Sequence, residues 1–137
     1  MLRISAEAHL AMLAHAIRCA PDEACGLLLG AFAGDVDAAG PTFVPCTNAS
    51  ASALRYSFDP KELFRIYNAA DDDGVEVVAV MHSHTHTEAY PSPTDVAEAA
   101  EPSWHYVIVS LRQGEPVLRS YRLIDGGVTE EPVLVDP

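Results

Sequence analysis
The sequence has little cysteine, little positive charge and no long apolar run, and each shortage closes off a class of protein. Its three cysteines, Cys19, Cys25 and Cys46, are an odd number with no Cys-x-x-Cys pair. That argues against a disulfide framework and against a cysteine-rich zinc site. Eight Lys and Arg stand against twenty Asp and Glu, a formal charge of −12. Phosphate binding needs a basic surface, so nucleic acid is a poor partner, and an anionic membrane is repelled in the same way. No stretch reaches the roughly 18 apolar residues of a membrane span. Met1-Leu2-Arg3-Ile4-Ser5-Ala6-Glu7 brings in an acid early and does not read as a secretory leader. A reducing, cytoplasmic setting is expected. So acidic a surface would steer in a basic protein partner.

The 137 residues fit one domain, 1–137, and no repeat or linker divides them. Ser5 can cap a helix whose apolar positions are Leu10, Leu13, Ile17 and Ala20 and which stops before Pro21. Cys25-Gly26-Leu27-Leu28-Leu29-Gly30 reads as a buried strand, and residues 34–40 as a loop. Thr42-Phe43-Val44 and Leu54-Arg55-Tyr56-Ser57-Phe58 read as strands. Asp59-Pro60-Lys61-Glu62 is a helix start with a cap, a proline at the first position and an acid where a capping box would have one. Leu63, Ile66, Tyr67 and Ala70 would be that helix's buried face, and Gly74 its end. Residues 75–81 are the strongest strand signal. A polar loop and a short helix over 94–100 follow, then strands over 104–111, 117–124 and 128–135, with a turn at Asp125-Gly126-Gly127. The expected fold class is α/β: one mixed sheet with about three helices.

The segment from His82 to Asp95 carries the chemistry. Side chains two apart on a strand face the same way, so His82 and His84 would address one point. Pro91 and Pro93 bend the chain, and Asp95, in the first turn of the next helix, could return a carboxylate to that point. Two His, one Asp and a water make a tetrahedral zinc site with an open position, the mark of a catalytic site. Ser92-Pro93-Thr94-Asp95 is equally a helix start, in which Asp95 would serve as a capping acid. His86 shares the two-residue period, so a His82-His84-His86 set is conceivable if the strand stays extended through Thr87. A metal that acidifies water still needs a group to take the proton. Glu23, just before the buried strand, is the candidate, although an acid near a proline is commonly a solvated loop residue.

Pro21-Asp22-Glu23-Ala24-Cys25-Gly26-Leu27-Leu28, followed by His82-x-His84-x7-Ser92-x2-Asp95, resembles the JAMM, or MPN-plus, metalloprotease family at every motif position. His-Ser-His-Thr, Thr-Glu-Ala-Tyr-Pro-Ser and Arg119-Ser120-Tyr121-Arg122 are most similar to its bacterial Mec type. The resemblance implies a curved mixed sheet flanked by helices, the JAB1/MPN fold, similar to that of cytidine deaminase. It implies Zn2+ held by His82, His84 and Asp95, with Glu23 as the acid–base residue and Ser92 as a hydroxyl for the oxyanion. The implied partner is a small ubiquitin-like sulfur-carrier protein ending in Gly-Gly, from which cysteine is released during cysteine biosynthesis. Thr85 stands where most members carry Pro, so the loop's path is expected to differ. His86 is expected beside the metal or exposed rather than as a ligand. Cys25 is expected to pack as a small buried residue rather than act as a nucleophile. Two rivals remain: a deubiquitinase-like isopeptidase, against which the short stretch from His84 to Ser92 speaks, and a non-catalytic scaffold, against which the complete ligand set speaks.

Overall fold
Strand β4 (Glu76–His84) is the axis of the molecule, and the computed structural model describes residues 1–31 and 40–137 around it. Most of the expected 34–40 loop lies outside the described residues. In chain order the other elements are β1 (Leu2–Ser5), α1 (Ala6–Cys19), β2 (Cys25–Gly30), β3 (Thr42–Cys46), α2 (Pro60–Asp73), α3 (Pro93–Glu98), β5 (His105–Ser110), β6 (Val117–Ile124), β7 (Gly127–Glu131) and β8 (Val133–Asp136). Six strands form one mixed sheet in the order β3-β2-β4-β5-β6-β7, and β1 pairs with β8 in a second, two-stranded sheet. In the large sheet β4 and β5 are parallel while the other neighbours are antiparallel. A parallel pair needs a crossover connection. Here the crossover holds α3 and leaves from the carboxyl end of β4, where ligand sites of α/β sheets gather.

Each sheet face has its own core. Helix α1 and strand β1 cover one face, where Ile4, Met12 and Ala16 pack on Leu28, Met81, Val107 and Val109. On the other face, Leu63, Ile66, Val96 and Trp104 pack against a cluster holding Cys25, Leu27, Val80, Ile108 and Tyr121. Alternation along β4 puts Met81 and Ser83 on the first side and Val80, His82 and His84 on the second. Gly26 in β2 admits no side chain, because an added Cβ would stand 2.4 Å from the Phe43 ring and 2.8 Å from the Val44 carbonyl oxygen. Among the described residues no helix is long and apolar enough to cross a membrane.

Several expectations need correcting. Helix α1 buries Ala8, Met12 and Ala16, while Leu10 and Ile17 are 63% and 57% exposed. Small alanines let the helix approach the sheet closely, which the size of the leucines obscured. Residues 54–58 are not a strand; only Phe58 pairs, in an isolated bridge with Asn48. The 128–135 stretch is two strands, because Pro132 lacks the N–H a continuous ladder needs. After it the chain changes partner and runs parallel to β1, which the sequence analysis did not anticipate. Asp59 caps α2 and Gly74 ends it at φ 69°, but Glu62 does not close a capping box: its carboxylate accepts from the Thr47 N–H at 2.8 Å. Tyr67 is exposed. The β6–β7 hairpin turns on Asp125 and Gly126, at φ 51° and 78°, the two left-handed positions that such a turn demands.

Candidate metal centre
His82 and His84, at the end of β4, turn their Nε2 atoms toward Asp95 in the first turn of α3. His82 Nε2 lies 3.1 Å from His84 Nε2, and Asp95 Oδ2 lies 3.1 Å and 3.2 Å from the two nitrogens. A tetrahedral zinc with nitrogen and oxygen ligands near 2.0–2.2 Å sets such atoms about 3.3 Å apart, so the triangle has the right size. The donor chemistry agrees. His84 Nδ1 lies 2.8 Å from the Glu88 carbonyl, which can only accept, so Nδ1 carries the proton and Nε2 offers its lone pair inward. A ligating His is commonly oriented in this way by a backbone carbonyl. Three donor atoms at such range can share one cation. These three residues can hold a metal ion.

Asp95 is also the capping residue that the helix start implied. Its Oδ2 accepts from the Ser92 N–H at 2.8 Å, and the Ser92 Oγ accepts from the Asp95 N–H at 3.0 Å. Cap and triangle are therefore one arrangement: the reciprocal hydrogen bonds aim the carboxylate at the two imidazoles. Burial alone would raise the Asp95 carboxyl, but the His82 and His84 imidazoles facing it, together with the Ser92 N–H, outweigh burial and hold the group well below the usual carboxylate range. Burial lowers the His82 imidazole. For His84 burial pulls the same way, but the Asp95 contact and the Glu88 carbonyl raise it on balance.

Glu23 lies in the turn before β2 and is 6% exposed. With His84, Ser92 and Asp95 it lines a cavity of about 270 Å³, below the roughly 300–1,000 Å³ of a drug-sized ligand site. Such a space suits an extended tail of small residues rather than a folded partner. Burial raises the Glu23 carboxyl to about 7; His84 lowers it and Asp95 raises it by smaller amounts. The protonated carboxyl's contribution to stability is complete below the unfolded value near 4.5 and is lost as pH rises through about 7. The loss is on the order of 3 kcal/mol. Metal-free Glu23→Gln protein should therefore gain melting temperature over metal-free wild type as pH rises from 5 to 8, and a gain that ignores pH would contradict the assignment.

Ser83, Asn48 and Tyr56, which the sequence reading did not single out, hold this arrangement. Ser83 is fully buried; its Oγ accepts from the Ala24 N–H at 2.7 Å and its N–H donates to the Ala24 carbonyl. It thereby ties the turn bearing Glu23 to the strand bearing the imidazoles. The Glu23 N–H donates to the Ser52 carbonyl, and Asn48 Nδ2 donates to the Glu23 carbonyl at 3.0 Å. Tyr56 stacks on His82 with ring centroids 4.6 Å apart. Arg55 lines the cavity from the same loop. Asn beside a Ser- and Ala-rich stretch is a turn signal, but the strand read over 54–58 hid these contacts.

The other expected residues fall apart from the triangle. Strand β4 ends at His84, and His86 sits exposed on a bend at the cavity rim. Cys25 is fully buried in the core, its thiol pushed up to about 12 by burial, which leaves no thiolate to attack a substrate.

A family model described as prokaryotic homologues of the JAB domain matches residues 5–124. A Mycobacterium tuberculosis protein named CysO-cysteine peptidase is 48% identical over 136 residues, spanning 98% of this chain and 91% of that protein. The solved structure of a Desulfitobacterium hafniense protein has a TM-score of 0.87 at 34% identity, over 99% of this chain and 93% of that one. A JAB1/MPN domain protein from Archaeoglobus fulgidus shares the fold, with a TM-score of 0.61 at 18% identity over 99% and 98% of the two chains. A family match over most of the length, and a relative this similar from end to end, together mean that the chain belongs to the JAB/MPN family, among its prokaryotic members.

Proposed function
We propose that this chain is a zinc-dependent peptidase that hydrolyses the amide bond after the C-terminal Gly-Gly of a small ubiquitin-like sulfur-carrier protein and so releases cysteine. The observation that carries the reading is the triangle of His82, His84 and Asp95 with the buried carboxyl of Glu23 on the same cavity. The name of the mycobacterial relative supports the substrate class. Three free thiols, Cys19, Cys25 and Cys46, suit a reducing compartment such as the cytoplasm.

The roles follow from what each group can do. His82, His84 and Asp95 would hold the zinc, which when bound would supply a Lewis acid to polarise the scissile carbonyl and acidify water. Glu23 takes the proton of the attacking water and returns it to the leaving amine; a carboxyl near neutrality can do both. Ser92 uses a lone pair on the Asp95 N–H and keeps its O–H for the developing oxyanion. Tyr56, stacked on His82, fixes the imidazole plane.

Mass spectrometry of a carrier ending in Gly-Gly-Cys, before and after incubation with zinc-loaded protein, tests this reading. The expected product is a carrier shorter by one residue, with free cysteine. An intact carrier alongside a cleaved ubiquitin dimer would move the assignment to an isopeptidase. No cleavage, together with no zinc uptake, would leave a scaffold.

A further inference from the structure
Arg55 lines the cavity beside the triangle. The cavity that holds Glu23, His84, Ser92 and Asp95 is also lined by Glu98, and among the described residues Arg55 is the only Lys or Arg on it. Arg3, Arg119 and Arg122 face Asp136, Glu130 and Glu131. The Arg55 guanidinium makes no such pair among the described residues, in a protein of net charge −12. Its backbone is nonetheless fixed. Asn48 Nδ2 donates to the Arg55 carbonyl at 3.0 Å, and the loop is closed by the Asn48–Phe58 bridge and the Ala49-to-Ser57 hydrogen bond. The next residue, Tyr56, is stacked on His82. An exposed side chain on a fixed backbone, one residue from a contact with the triangle, is well placed to meet what leaves the scissile bond.

We propose that Arg55 selects the leaving group by binding the free α-carboxylate of the single residue released from the carrier's C-terminus; the inference rests on the hydrolase reading above. A departing amino acid carries its carboxylate on the carbon next to the scissile nitrogen. A departing lysine side chain of an isopeptide has no anion near its nitrogen. Glu98 on the same cavity repels an incoming carboxylate, and a guanidinium fork offsets this with two parallel N–H donors in fixed geometry, which a lysine cannot match. Arg55 thus makes the site that of an enzyme removing one terminal residue rather than a general isopeptidase.

The test gives the zinc-loaded protein two substrates, a carrier ending in Gly-Gly-Cys as the free acid and the same carrier ending in cysteine amide. Wild type should cleave the acid with kcat/KM higher by about 10–100-fold, the range of a charge-assisted contact. Arg55→Gln should bring the acid down to the amide's level while leaving the amide rate, zinc content and melting temperature unchanged. Arg55→Lys should restore part of the preference. Equal rates for acid and amide in the wild type, or an Arg55→Gln loss shared by both substrates, would overturn the assignment while leaving the hydrolase reading intact. Cleavage of neither form by the wild type would remove the hydrolase reading and this inference with it.

Discussion
Replacing Glu23 by Gln is expected to leave zinc content unchanged and to lower kcat by about 10²–10⁴-fold, the usual range for a lost acid–base group. Glutamine keeps the shape and the polar tip but cannot take a proton. The metal should stay because Glu23 is not one of the three atoms that converge: those come from His82, His84 and Asp95. The fold should also stay, since Glu23 is held by backbone bonds, its N–H to Ser52 and its carbonyl to Asn48, which the substitution leaves alone. A contact used only as protons move lowers kcat and kcat/KM together and leaves KM alone. Elemental analysis beside steady-state kinetics would decide the matter, and zinc retained with ordinary turnover would take the proton-transfer role from Glu23.

Asp95→Ala is expected to cost more, through the metal itself. Losing a partner that merely orients a ligand weakens metal binding by about 10–100-fold; losing one of three direct donors should exceed that. It would also leave His82 and His84 with their Nε2 atoms 3.1 Å apart and without the carboxylate that lies 3.1 Å and 3.2 Å from them. Since Asp95 also closes the cap of α3, the variant loses a cap worth about 1 kcal/mol as well. Ser92→Ala separates the two effects, because it removes the side-chain cap while keeping the carboxylate. Zinc titration should show near-normal affinity for Ser92→Ala and a collapse for Asp95→Ala. Equal affinities in the two variants would mean that Asp95 is a capping residue and no ligand.

The two readings that competed over Asp95 show how far the sequence reaches. Cap and ligand looked like alternatives because each accounted for the residue alone. In the structure the same Oδ2 accepts from the Ser92 N–H and faces both imidazoles. The α2 boundaries were equally legible, since a proline after Asp59 and a glycine at Gly74 act through their own backbone angles. Helix α1 was harder. Its apolar residues are spread round the helix, and the stripe that lies down is the one of Ala8, Met12 and Ala16, which lets helix and sheet come closest. Tyr56 and Arg55 escaped because alternation alone cannot tell a strand from a loop whose residues take turns facing a cavity.

Taken alone, the order of residues determined what acts over a few positions: two imidazoles on one side of a strand, a carboxylate aimed by its helix cap, and the start and stop of the long helices. Periodicity and capping are local, and their energies need no distant partner. Tertiary structure decided what depends on segments far apart in the chain. It brought the Glu23 turn against β4 through Ser83 and Ala24, 59 positions apart, and folded residues 48–58 over the cavity. Burial by distant neighbours is what raises the Glu23 carboxyl to about 7, and desolvation belongs to a place in the fold rather than to a residue type.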